Sequence, residues 1–168
     1  MTSLWSLRVP EIVVADTSPL LYLHRAHILD VLPTLYGSVL VPLIVAKEIE
    51  DGRRGGFDIP DLSPLSWIEI RQPNGPIPAH PKLYAGEAAA IALALEIGLR
   101  VLIDDHVGRL YLHERHHPFT GTLGVLIEAK RRGLISEVSR HLTIMAACGF
   151  WITDEVHRHV LKLAGEAR

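Results

Sequence analysis

The chain has 168 residues, 48% of them hydrophobic, and a formal net charge of −2 at pH 7, which predicts one domain with a full apolar core. Cys148 is its single cysteine, which excludes an internal disulfide and disfavours a cysteine-based zinc site. No apolar stretch reaches the roughly 18 residues that a membrane span needs, and the N-terminal segment lacks a leader pattern, so we expect a cytoplasmic protein.

In chain order, short β-branched runs alternate with helical patterns. We predict strands at 11–16, 38–42, within 65–73 and at 99–104. We predict helices from Ser18 onward and over 42–52, 82–98, 105–117, 121–132, 136–147 and 153–164. The alternation of strands and helices predicts an α/β domain with a mostly parallel sheet.

Three carboxylates follow two of these predicted strands. Asp16 ends the first strand, and Asp104 and Asp105 end the fourth. Ligands of parallel sheets bind beyond the carboxyl ends of the strands, so these acids meet at one edge if the two strands are neighbours.

Two glutamates border the apolar faces of predicted helices. Glu48 precedes Ile49, and Glu87 lies four residues from both Leu83 and Ile91. A cluster of such acids repels itself unless a cation neutralises it, and oxygen ligands suit Mg²⁺ or Mn²⁺.

Each acid also has an ordinary structural explanation. Asp16 and Asp105 are placed to cap helices, and Asp104 is placed at a strand-end turn. Glu87 is favoured by a helix dipole, and Glu48 is compatible with a solvated helix face. These alternatives explain the acids one by one but not their arrangement together.

Four segments occur in a recognisable order. They read "VVADTSPLLYL", "VPLIVAKEIEDG", "GEAAAIALALEIG" and "VLIDDHVGR", and "GTLGVLIEAKRRGLI" follows them. Together they resemble PIN domains, the nuclease fold of VapC-type toxins, over about residues 11–165 of a single 1–168 domain. The resemblance implies a three-layer α/β/α fold with a mostly parallel sheet of four or five strands.

The resemblance also implies an acidic metal site. The catalytic positions that it matches are Asp16, Glu48, Glu87 and Asp105. Asp16, Glu87, Asp104 and Asp105 would hold Mg²⁺ or Mn²⁺, and the sequence "Ile-Asp-Asp" leaves open which of the last two is the main ligand. Ser18 would support this site or only cap the helix. By position alone, Arg109 lies one turn after Asp105 and would support the site by pairing with a carboxylate or a phosphate. Lys47, Arg53 and Arg54 would bind substrate phosphates, or they are ordinary surface charges.

The activity implied is metal-dependent endoribonucleolytic cleavage of RNA. A bound metal would lower the pKa of a water for attack on the phosphodiester. A toxin role in a toxin–antitoxin pair is implied too, with a small antitoxin as partner and a homodimer as the assembly.

Two other functions compete with this one. The segment "HERHH" (113–117) matches the H-E-x-x-H pattern of zinc peptidases, with Glu114 as the base, but Pro118 follows it at once. The PIN fold also occurs in inactive interaction modules, where one or more of the acids are usually lost.

Overall fold

The computed structural model describes residues 11–167, so the N-terminal prediction for residues 1–10 lies outside the described part. Five strands lie in this part: β1 (Val13–Ala15), β2 (Val39–Pro42), β3 (Ile68–Arg71), β4 (Val101–Leu102) and β5 (Phe119–Thr120). The helices there are α1 (Thr17–Arg25), α2 (Val31–Tyr36), α3 (Leu43–Arg54), α4 (Ala85–Ile97), α5 (His106–Glu114), α6 (Thr122–Arg131), α7 (Val138–Ala147) and α8 (Asp154–Leu163). Among residues 11–167, no helix has the length and apolar character of a membrane span.

The five strands form one parallel sheet in the order β3-β2-β1-β4-β5. The chain leaves β1 toward β2 and β3 and later returns to the other side of β1 with β4. The strand order therefore reverses between β1 and β4, and a crevice opens there at the carboxyl ends of the strands. The Asp16 N–H donates to the Leu102 carbonyl at 3.0 Å, which ties the ends of these two strands together.

Helices cover both faces of the sheet. Val13 and Ala15 pack with α1, α2, α6, α7 and α8, whereas Val14 packs with α4 and α5 on the opposite face. Successive strand residues alternate between faces, so buried strands are apolar at every position. The predicted three-layer α/β/α fold is confirmed.

Several predicted elements differ from the observed ones. The first helix begins at Thr17 rather than Ser18, and a turn at His27, whose φ is 58°, separates it from α2. The predicted helix 105–117 ends at Glu114. The two-residue strand β5 was not predicted, because it is too short to show a period and exists only through its pairing with β4.

Candidate active site

The five acids singled out in the sequence share one electrostatic environment at the crevice between β1 and β4. Asp16 follows β1, and Asp104 and Asp105 follow β4. The charges of Glu87, Glu48 and Asp104 act on Asp16, and those of Asp105 and Glu48 act on Glu87. Because β1 and β4 are neighbours, the condition under which the three strand-end acids meet at one edge of the sheet is fulfilled.

Asp16 is the buried member of the group, with 4% of its surface exposed. The pKa of its carboxyl is raised to about 7, mainly by burial and also by the neighbouring acids, against the opposing effect of the Thr17 N–H. Asp16 occupies the position before α1, but its side chain makes no capping hydrogen bond. Capping therefore does not explain this aspartate, and no residue within 11–167 forms an ion pair with its carboxylate.

Glu48 reaches the group from α3. Its Oε2 accepts a hydrogen bond from the Thr17 hydroxyl at 3.0 Å. A Cβ atom at Gly86 would lie 2.6 Å from the same oxygen, so the absence of a side chain at Gly86 makes room for the carboxylate. The first turn of α4 is thus shaped around Glu48.

Glu87 lies in that same first turn and is half-buried. Burial raises the pKa of its carboxyl, the Tyr84 N–H opposes this, and Asp105 and Glu48 raise it. One oxygen, Oε2, accepts the Tyr84 N–H at 2.9 Å. The dipole of α4 favours an acid at this position, and its neighbours are acids as well.

Asp104 is held by hydroxyl and amide donors from two helices. Its Oδ2 accepts the hydroxyls of Ser18 at 3.1 Å and Thr122 at 2.6 Å, and its Oδ1 accepts the Thr122 N–H at 2.7 Å. A Cβ atom at Gly121 would lie 2.9 Å from Oδ1. Asp104 therefore fastens the first turns of α1 and α6 to the end of β4.

Asp105 caps α5, as one of the structural alternatives predicted. Its Oδ2 accepts the Gly108 N–H at 2.7 Å, and Oδ1 makes no hydrogen bond to the described residues. The two adjacent acids thus turn to different donors. Hydrogen bonds from nearby residues stabilise both carboxylates. They account in part for the two adjacent acids, for which the sequence suggested only a metal as the stabilising partner.

The predicted basic residues lie in different places. Lys47 is exposed on α3 beside Glu48. Arg53 and Arg54 lie at the other end of α3 and both pair with Glu50, at 2.9 Å and 2.8 Å.

Arg109 stacks over the Phe119 ring at 5.3 Å from its centroid. In the described part of the chain it forms no ion pair with the acids.

The structure does not support a zinc site in "HERHH". α5 ends at Glu114, and His116 has a φ of 53°, so His113 and His117 do not lie one helical turn apart. His117 Nε2 lies 2.7 Å from the Leu99 carbonyl oxygen, and this bond fixes the ring against the sheet. The histidine spacing that a zinc peptidase requires is absent from this segment.

The donor chemistry of the acidic group fits a hard divalent cation. None of the five carboxylates belongs to an ion pair between described residues, and all their donor atoms are oxygens. As the side chains stand, no three aspartate, glutamate, histidine or cysteine residues within 11–167 lie in a metal-holding arrangement. Binding a cation therefore requires carboxylates to turn toward it from their present donors.

Sequence reasoning missed three residues that shape this site. Thr17 and Thr122 donate to Glu48 and Asp104, and Gly86 makes room for the Glu48 carboxylate. Thr17 directly follows Asp16, and Thr122 belongs to the quoted "GTLGVL" segment, but neither position in the sequence indicates which acid the hydroxyl contacts.

A model of a known protein family also matches this chain. The family model of the PIN domain matches residues 12–166, which include all thirteen elements and all five acids. No curated protein matches the sequence significantly.

Proposed function

This chain belongs to the PIN-domain family, whose members are generally nucleases, and on that premise we propose that it is a metal-dependent endoribonuclease. The observation that carries the proposal is Asp16. It is a buried carboxylate with a pKa near 7, surrounded by further acids, and it forms no ion pair with a described residue. Such an arrangement costs stability and is typical of a functional site.

The residues proposed to hold Mg²⁺ or Mn²⁺ are Asp16, Glu87 and Asp105, with Glu48 beside them. The ion supplies the positive charge that the carboxylates and an RNA phosphodiester lack, and it supplies Lewis acidity for hydrolysis. Asp105 Oδ1 makes no hydrogen bond to the described residues, which favours it over Asp104 as a ligand. Both oxygens of Asp104 already accept hydrogen bonds, so we assign it to positioning α1 and α6 around the site.

Ser18 and Thr17 support the same arrangement. The Ser18 hydroxyl orients Asp104, and the Thr17 hydroxyl orients Glu48. Both residues follow Asp16 directly and begin α1, so a single turn of helix positions three of the acids.

A toxin role extends this proposal. A small antitoxin would place a cationic side chain among the carboxylates, where the excess negative charge favours it. A homodimer in the cytoplasm completes the proposed assembly.

The test is cleavage of a mixed RNA pool by the wild type and by Asp16→Asn. Asp51→Asn, which changes an exposed aspartate of α3, is the matched control. We expect cleavage by the wild type and the control with Mg²⁺ or Mn²⁺, and loss of cleavage in EDTA or with Asp16→Asn. Equal cleavage by all three proteins would identify a contaminant, and absence of cleavage by all three would favour the inactive interaction module.

A further inference from the structure

An apolar groove of about 420 Å³ lies between α3 and α4 beside the acidic group. Six of the side chains along it belong to α3 and to the segment after β3: Leu43, Ile44, Lys47, Gln72, Pro73 and Ile77. Ala85 and Ala89 of α4 line it as well, and their small side chains leave the space open.

The groove lies on the same two helices as Glu48 and Glu87. Lys47 precedes Glu48, and Ala85 lies two residues before Glu87. Gly86, the residue after Ala85, lies against the Glu48 carboxylate. One end of the groove is therefore next to the contact between Gly86 and Glu48.

The lining of the groove combines solvent-exposed apolar side chains with two polar ones. Ile77 is 54% exposed, and Leu43 and Ile44 are each 37% exposed, so an apolar patch faces water next to a charged cluster. Lys47 and Gln72 are its polar residues, one cationic and one able both to donate and to accept hydrogen bonds.

We infer that this groove binds a nucleobase of single-stranded RNA next to the phosphate held at the acids, an inference that rests on the proposed function. A base has a flat apolar face for the leucine and isoleucine side chains and a polar edge for Gln72. Lys47 is placed to contact a phosphate of the same strand. Tyr84 is 79% exposed and immediately precedes Ala85, so it offers an aromatic face for a second base.

An apolar peptide segment of a partner protein is the competing occupant. It would fill the aliphatic part of the groove but would bring no phosphate to Lys47. The presence of Lys47 in the lining of an otherwise mostly apolar groove favours a ligand that is both planar and anionic.

The experiment measures RNA affinity in the Asp16→Asn background, in which we expect no cleavage. The probes are fluorescein-labelled oligouridylate and oligoadenylate dodecamers, followed by anisotropy in the presence of Mg²⁺. Ala85→Leu fills the groove, Lys47→Ala removes its charge, and Ala147→Leu makes the same change as Ala85→Leu on an exposed alanine of α7. Equal thermal unfolding midpoints of the variants verify that each one folds.

We expect Ala85→Leu to raise the Kd for RNA by about tenfold, the loss of one base contact, with no change for Ala147→Leu. Lys47→Ala should weaken binding and reduce its salt dependence, and Lys47→Arg should restore both. Equal Kd values for Ala85→Leu and Ala147→Leu would overturn the inference even if cleavage depends on Asp16. If Ala85→Leu instead abolished binding of a leucine-rich helical peptide and left RNA affinity intact, the groove would be a protein site.

Failure of the nuclease proposal gives a different pattern. In that case the wild type does not cleave RNA, while Ala85→Leu still weakens RNA binding. The groove would then be a base-binding site in a protein without nuclease activity.

Discussion

Replacing Asp16 by asparagine should stabilise the protein in EDTA above neutral pH, even though the same change should abolish cleavage. Burial and neighbouring acids raise the pKa of this carboxyl from 3.8 to about 7. The folded protein therefore binds the proton more tightly than the unfolded chain does. For such a group stability is highest below pH 3.8 and falls as pH rises toward 7.

The magnitude follows from the two pKa values. They differ by about 3, and each pH unit is worth about 1.4 kcal/mol, so the ionised carboxylate costs on the order of 4 kcal/mol above neutral pH. Asparagine has the same shape and carries no charge, so Asp16→Asn removes this cost. Its advantage over the wild type should shrink as the pH is lowered and vanish near pH 4.

The assay is urea denaturation in EDTA at about pH 8, 6 and 4, with Asp51→Asn as the control. Adding Mg²⁺ should then stabilise the wild type more than it stabilises Asp16→Asn, since ligands that bind the folded state stabilise it. The reasoning about the buried charge would be refuted if the wild type were as stable as Asp16→Asn at about pH 8. It would also be refuted if the stability advantage of Asp16→Asn increased as the pH was lowered.

Three further substitutions test other parts of the structure. Gly86→Ala should displace the Glu48 carboxylate and lower cleavage while leaving the urea midpoint equal or higher, since alanine favours helix by about 1 kcal/mol. Thr122→Val should cost about 1–2 kcal/mol in urea denaturation through the lost hydroxyl bond to Asp104, and Thr122→Ser should not. Glu166→Gln should lower the free energy of unfolding by about 2 kcal/mol at neutral pH. Burial raises the pKa of the Glu166 carboxyl, but two backbone N–H groups and an ion pair outweigh this effect and lower the pKa to about 2. That stabilisation is present above the usual pKa of 4.5 and is lost toward pH 2, so the urea difference should narrow in acid.

The position of the acidic group could be predicted because it depends on sheet topology. Buried parallel strands show as continuous apolar runs, and their carboxyl ends share an edge, so Asp16 and Asp104 are expected to meet if their strands are neighbours. Helical spacing predicts only that Glu48 and Glu87 border the core, the resemblance to PIN domains places them at the site, and the structure leaves Glu48 exposed. These inferences needed the order of the elements and no knowledge of side-chain geometry.

The hydrogen bonds within the site could not be predicted, because they depend on contacts between distant residues. Thr122 reaches Asp104 only because β5 pairs with β4, and two residues carry no strand signal. His117 was placed on a helix by its spacing from His113, but its bond to the Leu99 carbonyl holds it beyond the helix end. In both cases a tertiary contact overrides a local pattern.

The adjacent carboxylates after β4 show how contacts between distant residues, which the sequence does not reveal, change the interpretation of function. Their sequence position suggests two ligands of one cation, but the structure gives each its own donors: Ser18 and Thr122 for Asp104, and Gly108 for Asp105. Asp104 therefore has its own hydrogen-bond donors without a metal, and it is a fixed link between β4, α1 and α6. The carboxyl of Asp16 has neither a capping bond nor an ion pair to a described residue, so the uncompensated charge of the acidic group lies there. If the proposed cation binds, it would therefore neutralise the buried aspartate after β1, and the acidic pair after β4 would supply one ligand, Asp105, and one structural support, Asp104.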